Sequence, residues 1–323
     1  MKKILQVITN YRSYDQIRII QPFAEIREKL KEENITINFI PLDKLNVEIA
    51  RQFDVCVFHG CLSFAAYSIL PHIKFSIWCD DLMWDLPPSN PAAPKPKEIE
   101  GLYWCFSNAQ SIVVTTEYLK SRIFHPHKTF VAPNLLDINR GLWRQDAQDI
   151  LYSFGNSHTG DLELLNNLKT DRQVYFFGDT LPSKFCNYYR NPKGIIELYP
   201  NAENIHWIPL QTDYERYQIW LNNIEAGIGL CPLEDNDFNK AKSVLKIGEY
   251  LKKGMVSVVS NIGPYQGVPD ECVVKVLESD WSAAVEYGFT NRTNILDACY
   301  AWWQENYSYR KNYTRWLDVY RNL

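Results

Sequence analysis

Short runs of β-branched and aromatic residues recur along the 323-residue chain. They begin with KILQVIT, ITINFIP, DVCVFHG, FSIWCDD, SIVVTT and TFVAPN, and continue with ILYSFGN, QVYFFGD, IHWIPL, AGIGLCP, MVSVVS and CVVKVL. Most are apolar along their length rather than alternating, the mark of a strand covered on both faces. Helix-compatible segments such as PFAEIREKLKEEN and YERYQIWLNNIEA separate most of them. Apolar strands alternating with helices predict parallel sheets in an α/β protein. A dozen strands are too many for one simple doubly wound sheet, so the pattern predicts two Rossmann-like domains with the strands shared equally.

Periodicity lapses at the end of VAPNLLDINRGLWRQDAQD, around residues 138–149. That lapse divides the chain into an N-terminal domain (1–145), a second domain (146–300) and a C-terminal closing helix (301–323). The prolines of LPPSNPAAPKPK, residues 86–97, exclude regular structure and predict a surface loop beside a cleft. Two facing doubly wound domains leave that cleft at the carboxyl ends of their strands, where such sheets bind ligands.

Charge narrows the classes. The net charge is −4, and the first 150 residues balance 17 basic against 17 acidic side chains with no basic block. Phosphate contacts dominate nucleic-acid affinity, so this composition argues against a DNA or RNA partner. The eight cysteines show no CxxC and sit in or beside apolar runs, as buried reduced thiols do. MKKILQVITN is too short an apolar run for a signal peptide and reads as a first strand. No run approaches membrane-spanning length, and the expected location is cytoplasmic.

Chemistry concentrates in CPLEDNDFNKAKSVLKIGEYLKKGMVSVVS, residues 231–260. AGIGLCP before it predicts a strand, EDNDFNKAK a polar loop, and SVLKIGEYLKKG a helix capped by Ser243 and closed by Gly254. Val244, Ile247 and Leu251 share one side, and Lys242, Lys246, Glu249 and Lys253 share another. Glu249 therefore has two readings. It is either a solvated acid paired with Lys253 at i, i+4, or a ligand group on the side that carries Lys242. A helix start after a strand end offers free N–H groups and a positive dipole to a diphosphate. Lys242 would add a cation there, and Glu249 would accept from a ribose diol.

The stretch CPLEDNDFNKAKSVLKIGEYLKKGMVSVVSNIGPYQGV resembles the donor-binding segment of retaining, nucleotide-sugar-dependent glycosyltransferases of GT-B fold, group 1-like. YDQIRIIQPF, SIWCDDLMWDLPPSNP, SIVVTTEYLKSRI, VAPNLLD and YSFGNSHTGDLELL resemble further pieces of the same pattern in the same order, over residues 4–268. The resemblance implies a GT-B fold and a metal-independent glycosyltransferase. No cofactor is expected beyond a nucleoside-diphosphate sugar as donor substrate. It also implies that Glu249 binds the nucleotide ribose. Two glutamates eight positions apart are usual in the family, and the first would fall at position 241, which is alanine here. Its contact with the transferred sugar would pass to Asn239, Lys242 or an acid of Glu234, Asp235 and Asp237. The turn GNSHTGD lacks the family's usual basic residue, which leaves Lys242 as the diphosphate cation.

Gly155, Ser157 and His158 in that turn would face the phosphates, although a lone histidine in a loop is also a common surface residue. Asp80 and Asp81 end the strand FSIWC. Adjacent carboxylates there either repel each other and hold a raised pKa, useful for handling a proton or a hydroxyl, or are an N-cap followed by a solvated acid. His59, with Gly60 beside it, is a further catalytic candidate. Asp235-Asn236-Asp237 spells DxD, but the Lys-Ser turn after it argues for charge handled without a metal. The acceptor stays open among carbohydrate, small molecule and a hydroxymethylated base in DNA. Two rivals are a sugar-nucleotide epimerase or hydrolase of the same fold, and a binding protein that has lost its chemistry.

Overall fold

The computed structural model describes residues 1–8, 16–60, 64–86, 90, 93–158, 160–178, 180–181, 183–190, 196–209 and 214–323. Six strands form the first sheet: β1 (Lys2–Ile8), β2 (Ile35–Pro41), β3 (Val55–His59), β4 (Phe75–Cys79), β5 (Ser111–Val114) and β6 (Thr129–Val131). Every neighbouring pair is parallel, in the order β2-β1-β3-β4-β5-β6. VCVFH and FSIWC are buried at every position, as their unbroken apolar character requires of central strands.

The chain then forms β7 (Asp149–Ser153), β8 (Val174–Phe177), β9 (Cys186–Arg190), β10 (Ile196–Pro200), β11 (Ile205–Ile208), β12 (Ala226–Cys231), β13 (Val256–Ser260) and β14 (Val274–Val276). Six of these make a second parallel sheet, β11-β8-β7-β12-β13-β14. All twelve strands expected from the apolar runs form, six to a sheet. The antiparallel pair β9–β10 is additional. CNYYR and IELYP alternate polar with aromatic or aliphatic residues and lack the unbroken run that marks the others.

The helices are α1 (Gln21–Glu32), α2 (Val47–Ala50), α3 (Phe64–Tyr67), α4 (Pro96–Asn108), α5 (Glu117–Ser121), α6 (Tyr214–Asn223), α7 (Asp237–Lys240), α8 (Leu245–Lys252), α9 (Trp281–Thr290), α10 (Arg292–Asn306) and α11 (Tyr309–Asn322). The expected break at residue 301 falls inside α10, whose Trp303 is fully buried in the core of the second half. The chain crosses back only at Tyr307–Ser308. Trp316 and Tyr320 of α11 then pack on Trp78 of β4, with ring centroids 5.3 and 5.7 Å apart. The last helix therefore completes the first half.

Side chains of the second half are built into the first. Phe238 and Ala241 belong to the apolar cluster under β3, β4 and β5. Thr116 Oγ1 donates to the Ala241 carbonyl over 3.0 Å, and Asn134 Nδ2 donates to Ser243 Oγ over 2.9 Å. Among the described residues seven cysteines are buried with free thiols, and burial pushes Cys56 and Cys231 up to about 12. Cys61, Tyr14, Asp15 and residues 87–89, 91 and 92 of the proline loop lie outside the described residues.

Candidate functional site

Each sheet has one point where strand order reverses, and ligands of doubly wound sheets sit in the crevice opened there. In the second sheet the reversal lies between β7 and β12. The turn after β7 carries Gly155, Ser157 and His158, and the loop after β12 carries Glu234 and Asn239. Asp161 joins the two loops. Its Oδ1 accepts from the backbone N of Glu234 at 2.7 Å and from Asn239 Nδ2 at 2.8 Å. Its Oδ2 lies 2.7 Å from His158 Nδ1. Sequence reasoning missed this buried carboxylate, whose only local signal was its place three residues after the histidine.

The network decides what its members can do. Asn239 is buried and spends its amide hydrogens on Asp161 and the Glu234 carbonyl, which ties the loop after β12 to Asp161. Desolvation lowers the pKa of His158, and Lys242 and Lys246 lower it further, against the pull of Asp161. At neutral pH the ring is therefore uncharged. With its Nδ1 proton on Asp161, Nε2 presents a lone pair, suited to accepting from a hydroxyl. Ser157 meets the proline loop, since its carbonyl accepts from Asn90 Nδ2 at 3.1 Å. No Cβ clash would limit Gly155.

Helix α8 begins one residue later than its sequence suggests. Val244 is the N-cap, and its side chain makes no capping bond. Ser243 Oγ accepts from Asn134 Nδ2 across the halves at 2.9 Å and from Leu245 N at 3.4 Å. At the other end Gly254, at φ +74°, lets Met255 N donate to Tyr250 O and its own N donate to Leu251 O. That double bond pattern is the glycine-dependent stop that the sequence predicts.

Glu249 is neither solvated nor paired with Lys253. Its side chain is 13 % exposed and lies 2.9 Å from Lys246 Nζ, while Lys253 bonds Asn222. Lys246 also reaches Ser153 Oγ at the end of β7, over 3.1 Å. Burial alone would lower the Lys246 pKa, but the Glu249 carboxylate together with Tyr217 and Tyr250 outweighs it and holds the ammonium well above the ordinary lysine value. Lys246 was another residue missed, because on sequence it was one more cation on a helix face.

Lys242 occupies the turn before α8, with Nζ 3.3 Å from Asp81 Oδ1 of the first half and 4.3 Å from the centroid of the Phe238 ring. Asp80 points elsewhere. It pairs with Arg18 Nε at 2.9 Å and with His59 Nε2 at 3.3 Å. Burial alone would raise its pKa, but Arg18 and His59 outweigh that and hold it below the usual aspartate range. The expected raised pKa for this pair is thus corrected at Asp80, because a buried arginine, absent from the sequence argument, sits against it. The Arg18 side chain is 1 % exposed, lies 4.7 Å from the centroid of the Trp316 ring, and bonds Ala132 O and Asn134 Oδ1.

Two of the remaining acids are spoken for. Asp235 pairs with Lys240 at 2.7 Å, and Asp237 with Arg122 at 3.0 Å and Tyr118 at 2.9 Å. Among the described residues no group of three or more His, Cys, Asp or Glu side chains converges as a metal site would. None of the described helices is long and apolar enough to cross a membrane.

No family model matches the sequence, and no curated protein matches it. Solved structures do. HepE of Anabaena in complex with UDP-glucose superposes with a TM-score of 0.65 at 10 % identity, and all of each chain is covered. A DNA-modifying β-glucosyltransferase, solved with and without UDP-glucose, gives 0.59 at 12 %, again over both whole chains. TarM of S. aureus gives 0.55 at 13 %, covering 82 % of this chain and 55 % of TarM. The fold is GT-B. Within this GT-B chain, position 241 has a structural explanation. Ala241 is fully buried among apolar residues of the first half, and a glutamate there would place a carboxylate in that contact at a cost of several kcal/mol.

Proposed function

We propose that the chain is a glycosyltransferase that takes its sugar from a nucleoside diphosphate and binds that donor at the β7–β12 reversal. The observation that carries the reading is the convergence of Lys242, Lys246, Glu249 and His158 at that reversal in a GT-B fold. HepE and the DNA-modifying β-glucosyltransferase were both solved with UDP-glucose, which makes a UDP-sugar the first donor to test.

The diphosphate meets Lys242 and the open first turn of α8, where unsatisfied N–H groups and the helix dipole favour negative charge. Charge grows on the leaving diphosphate as the glycosidic bond breaks, so fixed cations there act on the transition state more than on the bound donor. Glu249 keeps one oxygen on Lys246 and offers the other to a ribose hydroxyl. Asp81 faces the same point from the first half, where it can receive the proton of an acceptor hydroxyl or hold that hydroxyl in line. Asp80, fixed by Arg18 and His59, positions the strand end rather than the substrate. The resemblance of residues 231–268 supports retention of anomeric configuration and a reaction without metal.

Lys242 cannot serve Asp81 and a diphosphate fully at once. Donor binding therefore draws the ammonium from the carboxylate and frees Asp81 when an acceptor is needed. Asp81→Asn should lower kcat about 100-fold while leaving UDP affinity equal or tighter, because the competitor for Lys242 is gone. Weaker UDP binding in this variant would contradict the exchange.

A thermal-shift screen against UDP-, GDP-, ADP- and TDP-sugars tests the donor assignment. A ligand at about 100 times its Kd stabilises the folded chain by about 2.7 kcal/mol. Glu249→Gln should weaken the best nucleotide about tenfold, the order expected for one charge-assisted hydrogen bond. Sugar release from the best donor is then followed with carbohydrate, small-molecule and hydroxymethylated-DNA acceptors. Full turnover with no acceptor would favour an epimerase or hydrolase.

A further inference from the structure

A cavity of about 720 Å³ lies between the halves, beside the β7–β12 crevice, and shares Lys242, Ser243 and Val244 with the entry to α8. The strand ends of the first half contribute Thr115 and Asn134, the α7–α8 turn Lys240 and Lys242, and the return crossover Tyr307 and Arg315. None of Gly155, Ser157, His158 or Glu249 lines it. We propose that this cavity is a second ligand site, for a small phosphorylated molecule held by Arg315, adjoining the proposed donor site with which it shares Lys242.

Size and charge point the same way. Pockets that enclose small ligands run from about 300 to 1,000 Å³, so this one suits a sugar phosphate and excludes a folded partner. Three cations line it against the single carboxylate of Glu117. Two of the cations are occupied, Lys240 by Asp235 at 2.7 Å and Lys242 by Asp81 at 3.3 Å. Arg315 has no carboxylate partner among the described residues. Its charge reaches the cavity wall: burial raises the Tyr307 pKa, and Arg315 draws it back. A guanidinium presents the forked donors that take phosphate oxygens in pairs.

The walls are built for closeness. Gly263, at φ +49°, brings the loop after β13 against the α7–α8 turn, where a Cβ would stand 2.9 Å from Lys240 Cα. Both passages of the chain between the halves contribute, Pro133 and Asn134 on the way out and Tyr307 on the way back. A ligand here would bridge the halves at their hinge. It would also touch Asn134, which ties Arg18 to Ser243.

The test is calorimetric titration of inorganic pyrophosphate into protein already saturated with UDP. The site predicts one further binding event, weakened at least about tenfold by Arg315→Ala, the loss of one charge-assisted contact. Arg315→Lys should retain part of it, and both variants should melt as the wild type does, since this side chain is exposed. No second event, or one of equal strength in Arg315→Ala, would overturn the proposal. Failure of the donor reading would show separately, as no binding of UDP itself.

Discussion

Lys242→Ala should lower kcat/KM for the donor by about 10² to 10³, or about 3 to 4 kcal/mol of transition-state stabilisation. The ammonium stands both at the entry to α8 and within reach of the first half. Most of the loss should appear in kcat, because negative charge on the diphosphate is greatest as the bond to the sugar breaks. UDP affinity should fall less, about tenfold. Stability should hardly change, since the lost ion pair is partly exposed and such pairs contribute about 0 to 1 kcal/mol. Steady-state kinetics with the donor found in the thermal screen, beside direct titration of UDP, separates the two quantities. An equal loss in KM alone, with kcat intact, would place Lys242 in ground-state binding only.

The second large effect is on stability. Asp80→Asn should destabilise the fold by about 3 to 5 kcal/mol, because it strands the buried guanidinium of Arg18. The guanidinium's other partners, Ala132 O and Asn134 Oδ1, satisfy hydrogen bonds without supplying a countercharge. Replacing both members of a buried pair is far milder than removing one, so Arg18→Met in the same chain should recover much of the loss. The pH dependence follows in sign. The folded pKa of Asp80 is depressed, so its stabilisation is complete above the ordinary aspartate value of 3.8 and is lost as pH falls through the folded value. Denaturant titrations between neutral pH and pH 3 should show that component in the wild type and its absence in Asp80→Asn. A loss below about 1 kcal/mol would mean that water, not Asp80, balances Arg18.

The fold was legible because its signal is local. Twelve apolar runs of strand length can be read without knowing what lies beside them, and Gly254 marks the end of α8 by a conformation that glycine adopts most easily. The site was only partly legible. Lys242, Glu249 and His158 stood out by type and spacing near strand ends and a helix start. What each side chain does depends on which partner it finds in the fold. Glu249 is held by Lys246, Ser243 by Asn134, and Asp80 by Arg18. The Lys246–Glu249 pair is one of two helical spacings open to that glutamate, and the other two pairings cross long stretches of chain with no sequence signature. Arg18 is the clearest case, since an arginine in the short helical turn Gln16–Ile20 gives no sign in sequence that it will be buried under a tryptophan from the last helix. Ala241 carried the opposite lesson. Its departure from the glutamate pattern, visible in sequence, became explicable only when the α7–α8 turn was found packed into the first half.

A crystal soaked with the UDP-sugar that gives the largest thermal shift tests the central claim most directly. The account predicts diphosphate oxygens within hydrogen-bond reach of Lys242 Nζ and the first turn of α8. A ribose hydroxyl should sit on Glu249, and Lys242 should be drawn away from Asp81. Nucleotide density elsewhere, with Glu249 still engaged by Lys246 alone and the Lys242–Asp81 pair intact, would contradict it.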